Sequence, residues 1–220
     1  MSVELYEMEH SPYCIPIAQA LVALGVSYES KLVPNWDRSA VIWLTEGAYY
    51  QVPMLVHGEE MVIESDSESI DIARYVDQAF GEGELFSQKN EGLHEILIEF
   101  IENDLELTTF KLVDPYYLDT IEGLANRVHT IRHKERRFGA GCVDQWRKQR
   151  VELRIEADRL LSRFESILAG SDYLFGDTPV YADFALFGIV GNLTYRGFNE
   201  LGPEQENLKQ WYCRLAAFRY

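Results

Sequence analysis

The order in which hydrophobic periodicity changes along residues 3–79 restricts this chain to few folds. VELYEM (3–8) alternates and carries β-formers, which predicts a short strand. Ile15, Ile17, Ala18, Leu21, Val22 and Leu24 then recur at helical spacing until Gly25. Pro12 and Pro16 are tolerable only near the start of that helix, where a missing N–H costs little. VSYESKLV (26–33) reads as a second strand, followed by a Trp-containing loop and a short helix over about 37–45. VPMLVHG (52–58) and EEMVIE (59–64) read as a hairpin turning at His57-Gly58-Glu59. Ile72, Tyr75 and Val76 mark one face of a closing helix. Strand–helix–strand needs a parallel crossover and the hairpin adds an antiparallel edge, so the expected sheet is mixed and four-stranded.

FGEGELFSQ (80–88) reads as a linker. Everything beyond it has helical period: one long amphipathic helix over 93–113, another over 145–170 ending at Gly170, a buried helix through Phe184, Ala185, Phe187, Val190 and Leu193, and a terminal one at LKQWYCRLAAF. The expected organisation is an α/β domain over residues 1–80 and an all-α domain over 89–220.

With Lys+Arg 20 against Asp+Glu 36, the net charge of −16 disfavours nucleic acid and anionic membranes as partners. One basic segment, RVHTIRHKERR (127–137), reads as a solvated helix face, with attraction of an anionic ligand as the alternative. Cys14, Cys142 and Cys213 are odd in number and widely spaced, which is no disulfide framework and suits a reducing compartment. MSVELYEMEH lacks a basic and an apolar leader region, and no run reaches the ~18 apolar residues of a membrane span, so a cytoplasmic protein is expected.

The chemistry concentrates at SPYC (11–14), between the first strand and the first helix. Ligands bind at the carboxyl ends of parallel strands, where the next helix presents free N–H groups and a partial positive charge. An anion is stabilised there, and a thiol bound there has a lowered pKa. With Cys at position 11 the stretch would be a dithiol motif; Ser11 can only steady a sulfur that arrives with a ligand. Ser11 as a plain helix cap is the other reading. Cys14 reads as a small buried hydrophobe, with a redox role as its alternative. Tyr6, which could also donate to a thiolate, reads as packing.

Taken together these segments resemble the glutathione transferase superfamily along nearly the whole chain. The resemblance implies a thioredoxin-like N-terminal domain that binds glutathione and a helical C-terminal domain that holds the second, hydrophobic electrophilic substrate. SPYC is similar to the site of Ser-type members, which carries the thiolate-stabilising role to Ser11, with Tyr13 beside it as a glutathione contact. Gln51-Val52-Pro53 resembles the family's X-Val-Pro before the third strand, where a cis proline leaves the preceding backbone to bond the cysteinyl part of glutathione. Gln51 stands where Lys is common. ESIDIARYVD (68–77) resembles the acidic-Ser signature that holds the γ-glutamyl end, which carries that role to Glu68 and Ser69; the competing pair, Glu64-Ser65, fits hairpin length, while helix phase set by Ile72 and Tyr75 favours Glu68-Ser69. VYAD (180–183) has Val180 where the family's capping box has Ser or Thr, so a weaker box is expected around Asp183. KERRFGAG (134–141) and TEGAYYQVP (45–53) are similar to the bacterial lignin β-etherase branch, which would imply attack on an aryl ether. A homodimer is implied by the family.

His129 and His133 have metal-compatible i, i+4 spacing but no evident third ligand, so no metal is expected. Phe110, Tyr116 and Tyr117 could line an aromatic pocket, or simply pack. Two other function classes stay open at this point: a glutathione-fold binding module without turnover, and a thiol–disulfide enzyme using Cys14.

Overall fold

The computed structural model describes residues 2–64, 70–86 and 88–220. Strands β1 (Val3–Glu7), β2 (Glu29–Leu32), β3 (Met54–His57) and β4 (Glu60–Ile63) form one sheet in the order β2-β1-β3-β4. β1 runs parallel to β2, and β3 is antiparallel to both β1 and β4. This is the mixed sheet that the periodicity predicts. Gly58 makes the hairpin turn at φ 65°, a left-handed conformation that costs glycine little. α1 (Cys14–Ala23) is the crossover between β1 and β2; α2 (Ser39–Leu44) and α3 (Asp71–Val76) complete this part.

The remainder is helical among the described residues. α4 (Glu91–Phe100) continues through a wide turn at Ile101–Leu105 into α5 (Glu106–Thr120). The expected end near Val113 is passed even though Pro115 lies inside the helix. Arg150 Nη1 and Asn199 Nδ2 both donate to the Leu112 carbonyl at 3.4 Å, one position beyond the Lys111 carbonyl that Pro115 leaves without its helical donor. α6 (Leu124–Phe138) precedes α7 (Cys142–Lys148) and α8 (Arg150–Leu168), which break at Gln149, where a single helix is expected from periodicity. α9 (Tyr181–Leu193) and α10 (Glu206–Ala217) close the chain. No described helix is long and apolar enough to cross a membrane.

One large core cluster joins β1, α1, α3, α5 and α8 to α10, with Trp211, Phe164 and Phe184 fully buried. α9, apolar on nearly every side, lies at its centre and packs against α1. The two helices approach closely at Gly188: a Cβ there would meet the Pro12 carbonyl and the Pro16 ring. That contact holds the start of α1 against the helical part of the molecule, and Ser11 stands at that start.

The capping box at Asp183 is the reduced one expected, but its carboxylate does more than cap. Val180 has no side-chain acceptor, so only half of the box exists: Val180 N–H donates to Asp183 Oδ2 at 3.1 Å. The carboxylate compensates by collecting two more donors, Leu174 N–H and Trp211 Nε1–H, each 3.0 Å from Oδ1. It is a hub between the loop before α9 and α10.

Candidate functional site

A cavity of about 830 Å³ opens where the two parts of the chain meet. Its floor is the turn after β1: Met8, His10, Ser11, Pro12 and Tyr13. One side is the loop into α2, with Trp36 and Arg38, and the residues before β3, Tyr50, Gln51 and Val52. The opposite wall is helical, with Glu106, Phe110 and Asp114 from α5 and His129, His133, Lys134, Arg136 and Arg137 from α6.

Ser11 is 2 % exposed. Its Oγ accepts from the N–H groups of Tyr13 and Cys14, each at 3.3 Å. The capping geometry is therefore realised. It leaves the hydroxyl proton to be donated, at the positive end of a helix dipole.

Cys14 is fully buried among Val33, Val41, Val52 and Met54. Burial pushes its thiol up to about 12, against smaller lowering effects from Ser11 and from Met8 N–H, which lies 3.4 Å from Sγ. A thiol so placed packs as an apolar group, and its burial works against the thiolate that a thiol–disulfide enzyme would use. The Tyr6 hydroxyl bonds Glu4 Oε2 at 3.1 Å, away from any thiolate at Ser11.

The Val52–Pro53 peptide bond is cis. Val52 precedes the last ladder pairs of its strand, Tyr6 with Met54 and Met54 with Ile63, so its backbone extends beyond the sheet's pairing and toward the cavity. Pro53 is buried behind it, and Gln51 is exposed at the rim. Tyr13 lines the cavity with its hydroxyl 3.5 Å from the Glu102 carbonyl. Ser65, Glu68 and Ser69 lie outside the described residues. Glu64 is described, and its Oε2 accepts from Asp71 N–H at 2.7 Å. Burial pushes its carboxyl up to about 8, with the helix N–H groups pulling the other way. Glu64 thus serves as an acceptor beside the start of α3.

Two expectations change. The basic segment 127–137 is not merely a solvated face: His129, His133, Lys134, Arg136 and Arg137 form the cavity's helical rim. Of the three aromatic candidates only Phe110 lines the cavity. Tyr117 stacks on His10 with ring centres 3.7 Å apart, and Tyr116 stacks on Phe198 under the Arg150 guanidinium. The His10 ring, covered in this way, is pushed down to about 4 by burial and stays neutral.

Sequence reading missed Arg38. Its Nη1 is buried without a hydrogen-bond partner, and Nη2 lies 3.3 Å from both Met8 Sδ and Asn35 Oδ1. No carboxylate among the described residues pairs with it. A guanidinium held in a cavity without a counter-ion fits an anionic ligand. Its only sequence signal is a lone basic residue in a loop.

The N-terminal domain model of glutathione S-transferases matches residues 5–84, and the C-terminal domain model matches residues 129–218. The chain belongs to the glutathione S-transferase superfamily. Its solved structural relatives include glutathione transferase GSTFuA3 from Phanerochaete chrysosporium, at 15% identity and a TM-score of 0.78 over 100% of this chain and 98% of that one. A glutathione S-transferase from Rhodospirillum rubrum F11 is 19% identical, with a TM-score of 0.71 over 98% and 88%. Glutaredoxin 2 from Salmonella typhimurium, solved in complex with glutathione, is also 19% identical, with a TM-score of 0.74 over 98% and 94%. These likenesses establish the fold. No curated protein sequence matches the chain. Superfamily membership supports glutathione binding and transferase chemistry in general.

Proposed function

We propose that the protein is a Ser-type glutathione transferase, with residues 1–80 binding glutathione and residues 89–220 holding an electrophile. The observation that carries this reading is the position of Ser11: at the start of α1, beside the cis-proline loop, in a cavity walled by α5 and α6. Ser11 donates its hydroxyl proton to the glutathione thiolate. The N–H groups at the start of α1 add positive potential. The backbone of Val52 bonds the cysteinyl part, with Tyr13 and Gln51 flanking it and Pro53 fixing the turn. Glu68 takes the ammonium of the γ-glutamyl end and Ser69 its carboxylate. Arg38 takes the glycyl carboxylate. The thiolate then attacks an electrophile against Phe110 and the α6 rim.

The test is calorimetric titration of glutathione together with thiolate absorbance against pH. Binding with a thiol pKa below the ordinary ~8.5 supports the reading. No binding, or binding with an unshifted thiol, overturns it. In the same assay Arg38→Met is expected to weaken glutathione about tenfold or more, as befits a lost charge-assisted bond, with little change in the bound thiol's pKa. Unchanged affinity would exclude Arg38 from the site.

A homodimer is proposed on the same basis. On α4, Leu93 and Ile96 are 64 % and 65 % exposed, apolar surface that a second copy would cover. Sedimentation should give twice 25.4 kDa for wild type and a monomer for Leu93→Glu with Ile96→Glu. A monomeric wild type rules the dimer out.

A further inference from the structure

Ser11 is held from two sides, and one of the holders belongs to the helical part of the chain. The Ser11 carbonyl accepts from Cys14 and Ile15 N–H, each at 3.1 Å, which ties it into α1. On the other side stands the His10–Ser11 peptide, a planar unit whose two ends turn together. Its N–H end donates to the Met8 carbonyl at 3.0 Å. Its carbonyl end, on His10, accepts from Asn192 Nδ2 at 2.6 Å. Asn192 lies on α9, 182 positions away in sequence, is 3 % exposed and lines the same cavity as Ser11. Gly188 lies one turn earlier on the same face of α9, where a Cβ would collide with the Pro12 carbonyl. α9 therefore meets the carbonyls of both residues that flank Ser11.

The Asn192 amide is a poor stabiliser. Its Oδ1 is buried and finds no donor among the described residues. The two ends of the amide cannot be exchanged, because only the NH₂ end donates to a carbonyl. A buried acceptor without a donor costs at least as much as one neutral hydrogen bond contributes, so the bond to His10 is offset by the side chain's own oxygen. A leucine branches at the same atom and would bring no orphan oxygen into the space. What the amide supplies and an apolar side chain cannot is a fixed direction for the His10 carbonyl, and hence for the peptide plane that carries Ser11. Without that bond the plane keeps the Met8 contact alone and is free to rotate, and the Ser11 side chain moves with it.

We propose that Asn192 is a positioning residue: from the helical part of the chain it fixes the His10–Ser11 peptide so that the Ser11 hydroxyl points at the glutathione sulfur. The proposal rests on the reading of Ser11 as the thiolate donor and adds the residue that aims the donor. A hydrogen bond weakens steeply with misalignment, so a small rotation of this peptide removes much of the donation to sulfur without disturbing Val52, Gln51 or Arg38. Loss of the Asn192 amide therefore acts on the ionisation of the bound thiol rather than on affinity, and it acts only through Ser11.

The experiment is a double-mutant cycle of Asn192→Ala and Ser11→Ala, read by the affinity for glutathione, by the pKa of the bound thiol from thiolate absorbance, and by melting temperature. Asn192→Ala alone should bind glutathione within about threefold of wild type and raise the bound thiol's pKa by about one. In the Ser11→Ala background the same change should move that pKa by less than about 0.3, because the donor it aims is already gone. Asn192→Leu fills the space with no polar atom; it should reproduce both results, and it replaces Asn192→Ala in the cycle if the smaller side chain prevents folding. A merely structural Asn192 would lower the melting temperature or the affinity and leave the bound thiol's pKa where it is. That result, or a shift of equal size in both backgrounds, overturns the proposal alone, as does failure of both variants to fold. A wild-type thiol pKa in Ser11→Ala overturns the reading of Ser11 and this proposal with it.

Discussion

Replacing Ser11 by Ala should leave glutathione bound but raise its thiol pKa by about one to two units, and lower kcat/KM by roughly 10- to 100-fold. A hydrogen bond to a charged group contributes about 1.5–3 kcal/mol, and one pKa unit corresponds to about 1.4 kcal/mol. The affinity should change little, because the hydroxyl discriminates between thiolate and thiol more than it grips the peptide. Ser11 also caps α1, because its Oγ accepts from Tyr13 and Cys14 N–H. Loss of that cap costs about 0.5–2 kcal/mol, so a modest fall in melting temperature should accompany the kinetic change. The two effects separate in one experiment, since a cap defect lowers stability but does not move the pKa of a bound thiol. A thiolate titration unchanged in Ser11→Ala would leave Ser11 as a cap alone.

Periodicity is enough to read the sheet, because strand and helix periods differ and the hairpin turn is marked by Gly58. The family motifs are legible for a similar reason: Ser11, Val52 and Pro53 are local in sequence, and each is read from its immediate neighbours. What escapes is whatever depends on two distant segments meeting. Arg38 is an ordinary loop residue until the fold places it in the same cavity as Ser11 without a counter-ion. Asn192 is a polar residue in an apolar helix, and only the fold brings its amide to the His10 carbonyl. The basic face of α6 reads as solvated because periodicity gives a face but not what lies opposite. Tyr116 and Tyr117 are neighbours in sequence yet point to different partners, one turned toward Phe198 and one toward His10. Helix breaks are also opaque. The break at Gln149 falls in a polar stretch with no Gly or Pro to mark it, whereas Pro115 suggests a break and the helix continues through it.

Asp183→Ala should be among the most destabilising single changes in the protein. The side chain is fully buried, and its loss strands Leu174 N–H and Trp211 Nε1–H in the core and leaves the part-buried Val180 N–H without its acceptor. Each donor so deprived costs about 1–3 kcal/mol, so three exceed about 3 kcal/mol against a typical total stability of about 5–15 kcal/mol. For a chain of this size that is a fall of roughly 6–12 °C or more in melting temperature. Asp183→Asn should do less damage, because the remaining carbonyl can still face the two donors on Oδ1 while only the Val180 contact becomes donor against donor. The pair also tests ionisation. Burial, outweighing the three bonds and Arg214, pushes the Asp183 carboxyl up to about 6 from an ordinary 3.8. A raised folded pKa means that the native state binds the proton more tightly, so this group's contribution is greatest below about pH 4 and declines as pH rises through about 6. Thermal denaturation of wild type between about pH 4 and 7 should contain that decline, and Asp183→Asn, which cannot ionise, should lack it. Wild-type and Asp183→Ala melting temperatures within about 3 °C of each other would show that the three donors find other acceptors, and that the junction between α9 and α10 does not depend on this carboxylate.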